Sequence, residues 1–166
     1  VFVELALISS HAPWEPIPPL IDDWNALGDG GVFAGMADAG GPRNWPHDAA
    51  VNYPKAVAYS LRAVGSFAAS FLADGGMLVA LGDHQPASLI TGEGASRAVP
   101  IHLIARDPAL LAPFRDWGFT PGMVPGHDAA THRMDEFRAR FHGAYAGGAA
   151  AEVEAVAEAD DGGVVR

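Results

Sequence analysis

Two short segments hold the residues whose chemistry stands out. Gly82-Asp83-His84-Gln85-Pro86 places a carboxylate beside an imidazole directly after the apolar run Met77 to Leu81. A carboxylate oxygen and an imidazole nitrogen together suit a hard or borderline divalent cation such as Zn, Mn, Mg or Ca. Neighbours along an extended strand point to opposite faces. The two can therefore share one ion only if the strand has already turned, which Gly82 and Pro86 permit. Taken alone, an Asp-His pair in a loop is more often a cap or a surface hydrogen bond. Ser9-Ser10-His11-Ala12-Pro13-Trp14 comes after a second apolar run. An imidazole there suits a phosphoryl or sulfuryl oxygen, or proton transfer. The simpler expectation is that His11 bonds a loop carbonyl and Trp14 packs over it.

The remaining histidines carry less. His102 lies inside an apolar run and reads as a satisfied core histidine. His127 and His132 flank Asp128 near a helix start, where a capping and solvent-facing cluster is the commoner outcome than a metal site. His47 and His142 have no supporting context. There is no Gly-x-Ser-x-Gly turn and no phosphate-cradling glycine loop. The absence of cysteine excludes disulfides, thiolate metal sites and cysteine nucleophiles.

Periodicity gives the elements that must position these groups. Phe2 to Ile8 is apolar and strand-like, and prolines 13, 16, 18 and 19 make the next stretch a rigid loop. Residues 28 to 48, rich in Gly, Pro, Asp and Asn, read as a long surface loop. Asn52 is placed to cap a helix with Pro54 in its first turn. Val57, Leu61, Val64, Ala68 and Phe71 then form its buried face, and Asp74-Gly75-Gly76 stops it. Met77 to Leu81 reads as a central strand covered on both faces, and Val99 to Ala105 as another strand. Asp107-Pro108 opens a short helix with Leu110, Leu111, Phe114 and Trp117 on its apolar side, closed by Gly118. Thr131 is placed to cap a last helix with Met134, Phe137, Phe141 and Tyr145 on one face. This order predicts an α/β fold.

The 166 residues carry 20 acidic against 10 basic side chains, a formal charge of -10. No basic patch exists for a nucleic-acid backbone, and an anionic lipid surface is repelled. No apolar run reaches the roughly 18 residues that span a bilayer. The chain starts without Met, inside an apolar element, and reads as part of a longer protein. The expectation for such a cut sheet is a bare edge at Phe2, Val3, Leu5 and Leu7, and self-association.

Taken in order, four segments resemble the alkaline phosphatase/sulfatase superfamily. Ser9-Ser10-His11-Ala12-Pro13-Trp14 resembles the S-x-H-x-P-[FWY] segment of sulfatases and lipoteichoic-acid-synthase-like proteins. Tyr53 to Phe71 is similar to the next helix of that family. Leu78-Val79-Ala80-Leu81-Gly82-Asp83-His84-Gln85-Pro86 resembles the metal-binding strand-G/S-D-H-G/Q segment. Ala98-Val99-Pro100-Ile101-His102-Leu103-Ile104 is similar to the x-V-P-[FIL]-x-[IL] strand.

The resemblance implies a layered fold with a central, mostly parallel sheet flanked by helices. Residues 1–146 would be the C-terminal part of a catalytic domain, and 147–166 an acidic, disordered tail. It implies that Asp83 and His84 bind a divalent metal ion and that His11 contacts the phosphate or sulfate of an ester substrate. The activity implied is hydrolysis or transfer of that ester, with the nucleophile earlier in the longer chain and the isolated chain inactive. Gln85, where many sulfatases have Gly, leans toward the membrane-anchored branch, whose catalytic domain is extracytoplasmic. In that case the membrane is met only through segments absent from this chain. The alternative is a non-catalytic α/β binding or regulatory module that keeps part of the metal site.

Overall fold

The computed structural model describes residues 2–36 and 48–146. The chain divides into two compact units, Val1–Pro108 and Ala109–Arg166. The expected tail at 147–166, His47 and residues 37–47 of the expected loop lie outside the described residues.

The first unit is organised on helix α1, Ala49–Phe71. It starts a turn earlier than Asn52 predicts, because Asp48, Ala49, Ala50 and Val51 continue the helix upstream. The Asp48 carbonyl accepts from the amides of Val51 and Asn52 at 3.1 and 2.9 Å. Pro54 therefore lies inside the helix rather than in its first turn. It has no N–H to offer the Ala50 carbonyl, a loss tolerated this near the N-terminus. The buried positions are Ala49 and Ala56, while Leu61 and Phe71 of the expected buried face are exposed. What covers α1 is loop rather than sheet, and it is pinned at two places. Trp14 meets Tyr53 edge-on at 5.8 Å. Trp24 meets Phe67 and Phe71 at 5.8 and 5.9 Å and donates its Nε1–H to Ser66 Oγ at 3.1 Å.

The central, mostly parallel sheet flanked by helices is not what forms. The fold is mainly helical, and the sheet among the described residues is a two-stranded antiparallel ribbon. Its strands are β1, Met77–Leu81, and β2, Ile101–Ala105, in the register Met77↔Ala105 through Leu81↔Ile101. Two features explain the correction. Phe2 to Leu7 joins no ladder and ends in a 3-10 turn, Ile8–Ser10. Phe2, Val3 and Leu5 stay more than three-quarters exposed. The connection between the strands also holds only a four-residue helix, α2, Ser88–Thr91. A parallel return is usually carried by a full helix packed on the sheet. Here the chain doubles back on itself instead. With no third strand among the described residues, β1 is an edge and half-exposed rather than central.

The second unit gathers around one ring. A 3-10 turn, Pro108–Leu111, leads into α3, Ala112–Asp116, and Gly118 at φ 84° ends it. The last helix, α4, covers 134–146. Thr131 stands upstream of its first residue, so the expected cap is displaced. Phe114 is 1% exposed. Its ring meets Trp117 at 4.7 Å, Phe119 at 5.5 Å, and Phe137, Phe141 and Tyr145 of α4 at 6.2–6.3 Å. The helical spacing of those three aromatics is what brings them to one side. Met134 remains exposed.

Candidate functional site

Asp83 and His84 come directly after β1, where the chain turns. Gly82 makes the turn close: a Cβ on it would stand 3.4 Å from the Val99 Cβ. The His84 backbone N–H donates to Asp83 Oδ1 at 3.0 Å, which sets the direction of the carboxylate. His84 Nδ1 lies 2.8 Å from the Gln85 carbonyl oxygen. A carbonyl oxygen only accepts, so the proton of this bond is on Nδ1 and the neutral ring has its lone pair on Nε2. That Nε2 lies 3.6 Å from Asp83 Oδ2.

Two acceptor atoms thus face one another across a gap that a cation fits. Two ligands on one tetrahedral Zn ion, each at about 2.0–2.2 Å, stand about 3.4 Å apart. The donor chemistry and the spacing both suit a divalent ion; a proton on Nε2 would instead make the same 3.6 Å pair a plain His–Asp contact. The side chains are 72% exposed for His84 and 90% for Asp83. Water solvates both, so their mutual attraction alone contributes little to stability.

His11 presents the same tautomer on another loop. Its backbone N–H donates to the Ile8 carbonyl at 3.0 Å, and its Nδ1 lies 2.6 Å from the Ala12 carbonyl oxygen. The expected bond to a loop carbonyl is therefore present. Trp14 packs on Tyr53 and donates to the Ser10 carbonyl at 2.9 Å. The neutral His11 ring leaves Nε2 as an acceptor; it donates to an anion only as imidazolium. The structure brings Asp83 and His84 together. No hydrogen bond or ion pair joins His11 to either. Among the described residues no group of three or more His, Cys, Asp or Glu side chains converges.

His102 and His132 belong to a strand and to helix packing. His102 sits in β2 opposite Ala80. In the second unit, His132 Nε2 lies 2.6 Å from the Trp117 carbonyl oxygen, so here the proton is on Nε2. Its Nδ1 stands 3.3 Å from Arg140, a pure donor, and the ring lies parallel to Phe119 at 6.4 Å. Arg140 in turn binds Glu136 at 3.0 Å. His132 thus belongs to the packing of α4.

Sequence reasoning missed two things here. One is the Gln85 side chain, whose amide donates to the Ala98 carbonyl. A polar residue with two donors beside a candidate ligand is the available signal, but its partner lies thirteen positions away. The other is the His132–Arg140 contact, which crosses from the loop to the second turn of α4.

No family model, curated protein or solved structure matches the chain. No helix among the described residues is long and apolar enough to cross a membrane.

Proposed function

We propose that Asp83 and His84 supply part of a divalent-metal site that acts on phosphate or sulfate esters, with His11 meeting the ester's anionic group or moving its proton. The observation that carries the reading is the facing of Asp83 Oδ2 and His84 Nε2 at 3.6 Å, each oriented from behind by a backbone hydrogen bond. Backing of this kind is what orients a metal-binding histidine. The order of the four sulfatase-like segments supports the same reading; the fold plays no part in it.

When bound, a divalent ion supplies charge stabilisation for the group being transferred. Asp83 would hold it through Oδ2 and His84 through Nε2. His11 Nε2 accepts a proton when neutral and donates to an ester oxygen once protonated. On this reading the full-length protein is a hydrolase or phosphotransferase working on the extracytoplasmic face of a membrane.

The test is calorimetric titration of the chain with Zn²⁺ and Mn²⁺. Weak binding is expected, since two protein ligands are fewer than the three or four of a tight Zn site. Either Asp83→Ala or His84→Ala abolishes it. Binding that survives both substitutions, or none in the wild type at millimolar metal, sinks the site. Binding without any ester turnover by the full-length protein favours the non-catalytic module instead.

A further inference from the structure

We propose that Gln85 is a positioning residue for this site: its side chain closes the base of the β1–β2 connection, and its backbone selects the His84 tautomer. The proposal rests on the metal-site reading for its purpose, while its geometry stands on its own. Two hydrogen bonds meet at Gln85. Its Nε2 donates to the Ala98 carbonyl, and its own carbonyl accepts the His84 Nδ1–H. The bond that pins the side chain therefore also governs where the carbonyl points.

The clamp has a second level. Gly82 approaches Val99 so closely that a Cβ would stand 3.4 and 3.5 Å from its Cβ and Cγ1. Ala98 is itself held, its N–H donating to Ser96 Oγ at 3.1 Å. Of the residues on either side of Asp83-His84, Gln85 is hydrogen-bonded to Ala98 and Gly82 lies close against Val99, so the pair between them is carried on a closed turn. His84 needs this. Its side chain is 72% exposed, so most of the ring is in solvent rather than held by packing. An untethered imidazole exchanges its proton between the two nitrogens, and the form with hydrogen on Nε2 cannot ligate through that atom. Which nitrogen is left for a metal is set by the hydrogen bond the other one makes. Asp83 Oδ2 faces Nε2 and not Nδ1, so only one tautomer serves the site.

The experiment reads the ring directly in the metal-free chain. Long-range ¹H–¹⁵N spectra of protein labelled at histidine should show wild-type His84 as the Nδ1–H tautomer. The Gln85 side-chain amide should show one proton shifted and slowed by its bond to Ala98. Gln85→Met keeps length but removes the donor, and Gln85→Asn keeps the amide but shortens its reach. Both should give a mixture of His84 tautomers and about tenfold weaker Zn²⁺ binding, the lower bound for loss of such support. A merely structural Gln85 would lower the thermal midpoint and leave the tautomer alone, which would overturn the proposal. So would a wild-type His84 protonated on Nε2, or a freely rotating Gln85 amide, even if neither variant folds. A tautomer shift in a chain that binds no Zn²⁺ would uphold the role of Gln85 and remove the metal reading.

Discussion

His132 spends both ring nitrogens and His84 spends one. In the second unit, Nε2–H of His132 goes to the Trp117 carbonyl, Nδ1 faces Arg140 and the ring lies against Phe119. In the first unit, Nδ1–H of His84 goes to the neighbouring carbonyl, and Nε2 is turned toward a carboxylate and solvent. The same side chain is cement in one place and, on the proposed reading, a ligand in the other. What separates them is whether the second nitrogen has a protein donor. A ring with both positions filled has nothing to offer a ligand. One held at a single position is oriented and still available.

The sharpest way to strain the contrast is to remove the ring around which the second unit packs. Phe114→Ala should cost about 3–5 kcal/mol, the range for a buried Phe replaced by Ala. Amide exchange across 134–146 should accelerate accordingly; protection left intact would mean that the aromatic cluster does not hold α4. His132→Ala comes next, at about 1 kcal/mol for its lost hydrogen bonding, with Zn²⁺ binding unchanged. His84→Ala should do the reverse, altering stability by less than about 0.5 kcal/mol while abolishing Zn²⁺ binding. If the two variants exchange these phenotypes in urea unfolding and calorimetry, the contrast is wrong.

A gentler test uses alkali. Burial raises the Tyr145 pKa above its ordinary value of about 10. A group raised on folding contributes stability that is complete below its unfolded pKa and is lost as pH rises through the folded one. Stability of the second unit should therefore fall above about pH 10, where the phenol that donates to the Leu110 carbonyl ionises. Tyr145→Phe should flatten that alkaline limb in circular dichroism. The smallest effect belongs to Asp135, whose carboxyl is lowered by its hydrogen bond from Arg133. Its contribution is present above the ordinary carboxylate pKa and disappears as pH falls through the lowered one. Both partners are exposed, so Asp135→Asn should barely move the acid limb.

Local pattern was readable where it acts alone. Met77 to Leu81 reads as a strand and is one; Phe137, Phe141 and Tyr145 recur at helical spacing and meet one ring. Pairing was not readable. An apolar run such as Met77 to Leu81 looks the same whether its partner is parallel, antiparallel or missing. Phe2 to Leu7 has strand composition but finds no ladder in this chain. The Asp83-His84 pair was legible as a type of chemistry from two adjacent letters. Its geometry depends on Gly82 meeting Val99 and Gln85 meeting Ala98, contacts between residues far apart in sequence.

The fastening of Gln85 to Ala98 also divides the β1–β2 connection into a base and an excursion. The excursion carries α2 and then Gly92 and Gly94, both at positive φ, near 82° and 73°. Changes of length beyond the fastening are absorbed by a loop whose closing entropy rises only by about 0.6 kcal/mol per doubling. The tip around Gly92-Glu93-Gly94 can therefore be lengthened or rewritten while Asp83 and His84 keep their places. Related chains could differ freely there in what they recognise without disturbing the groups beneath.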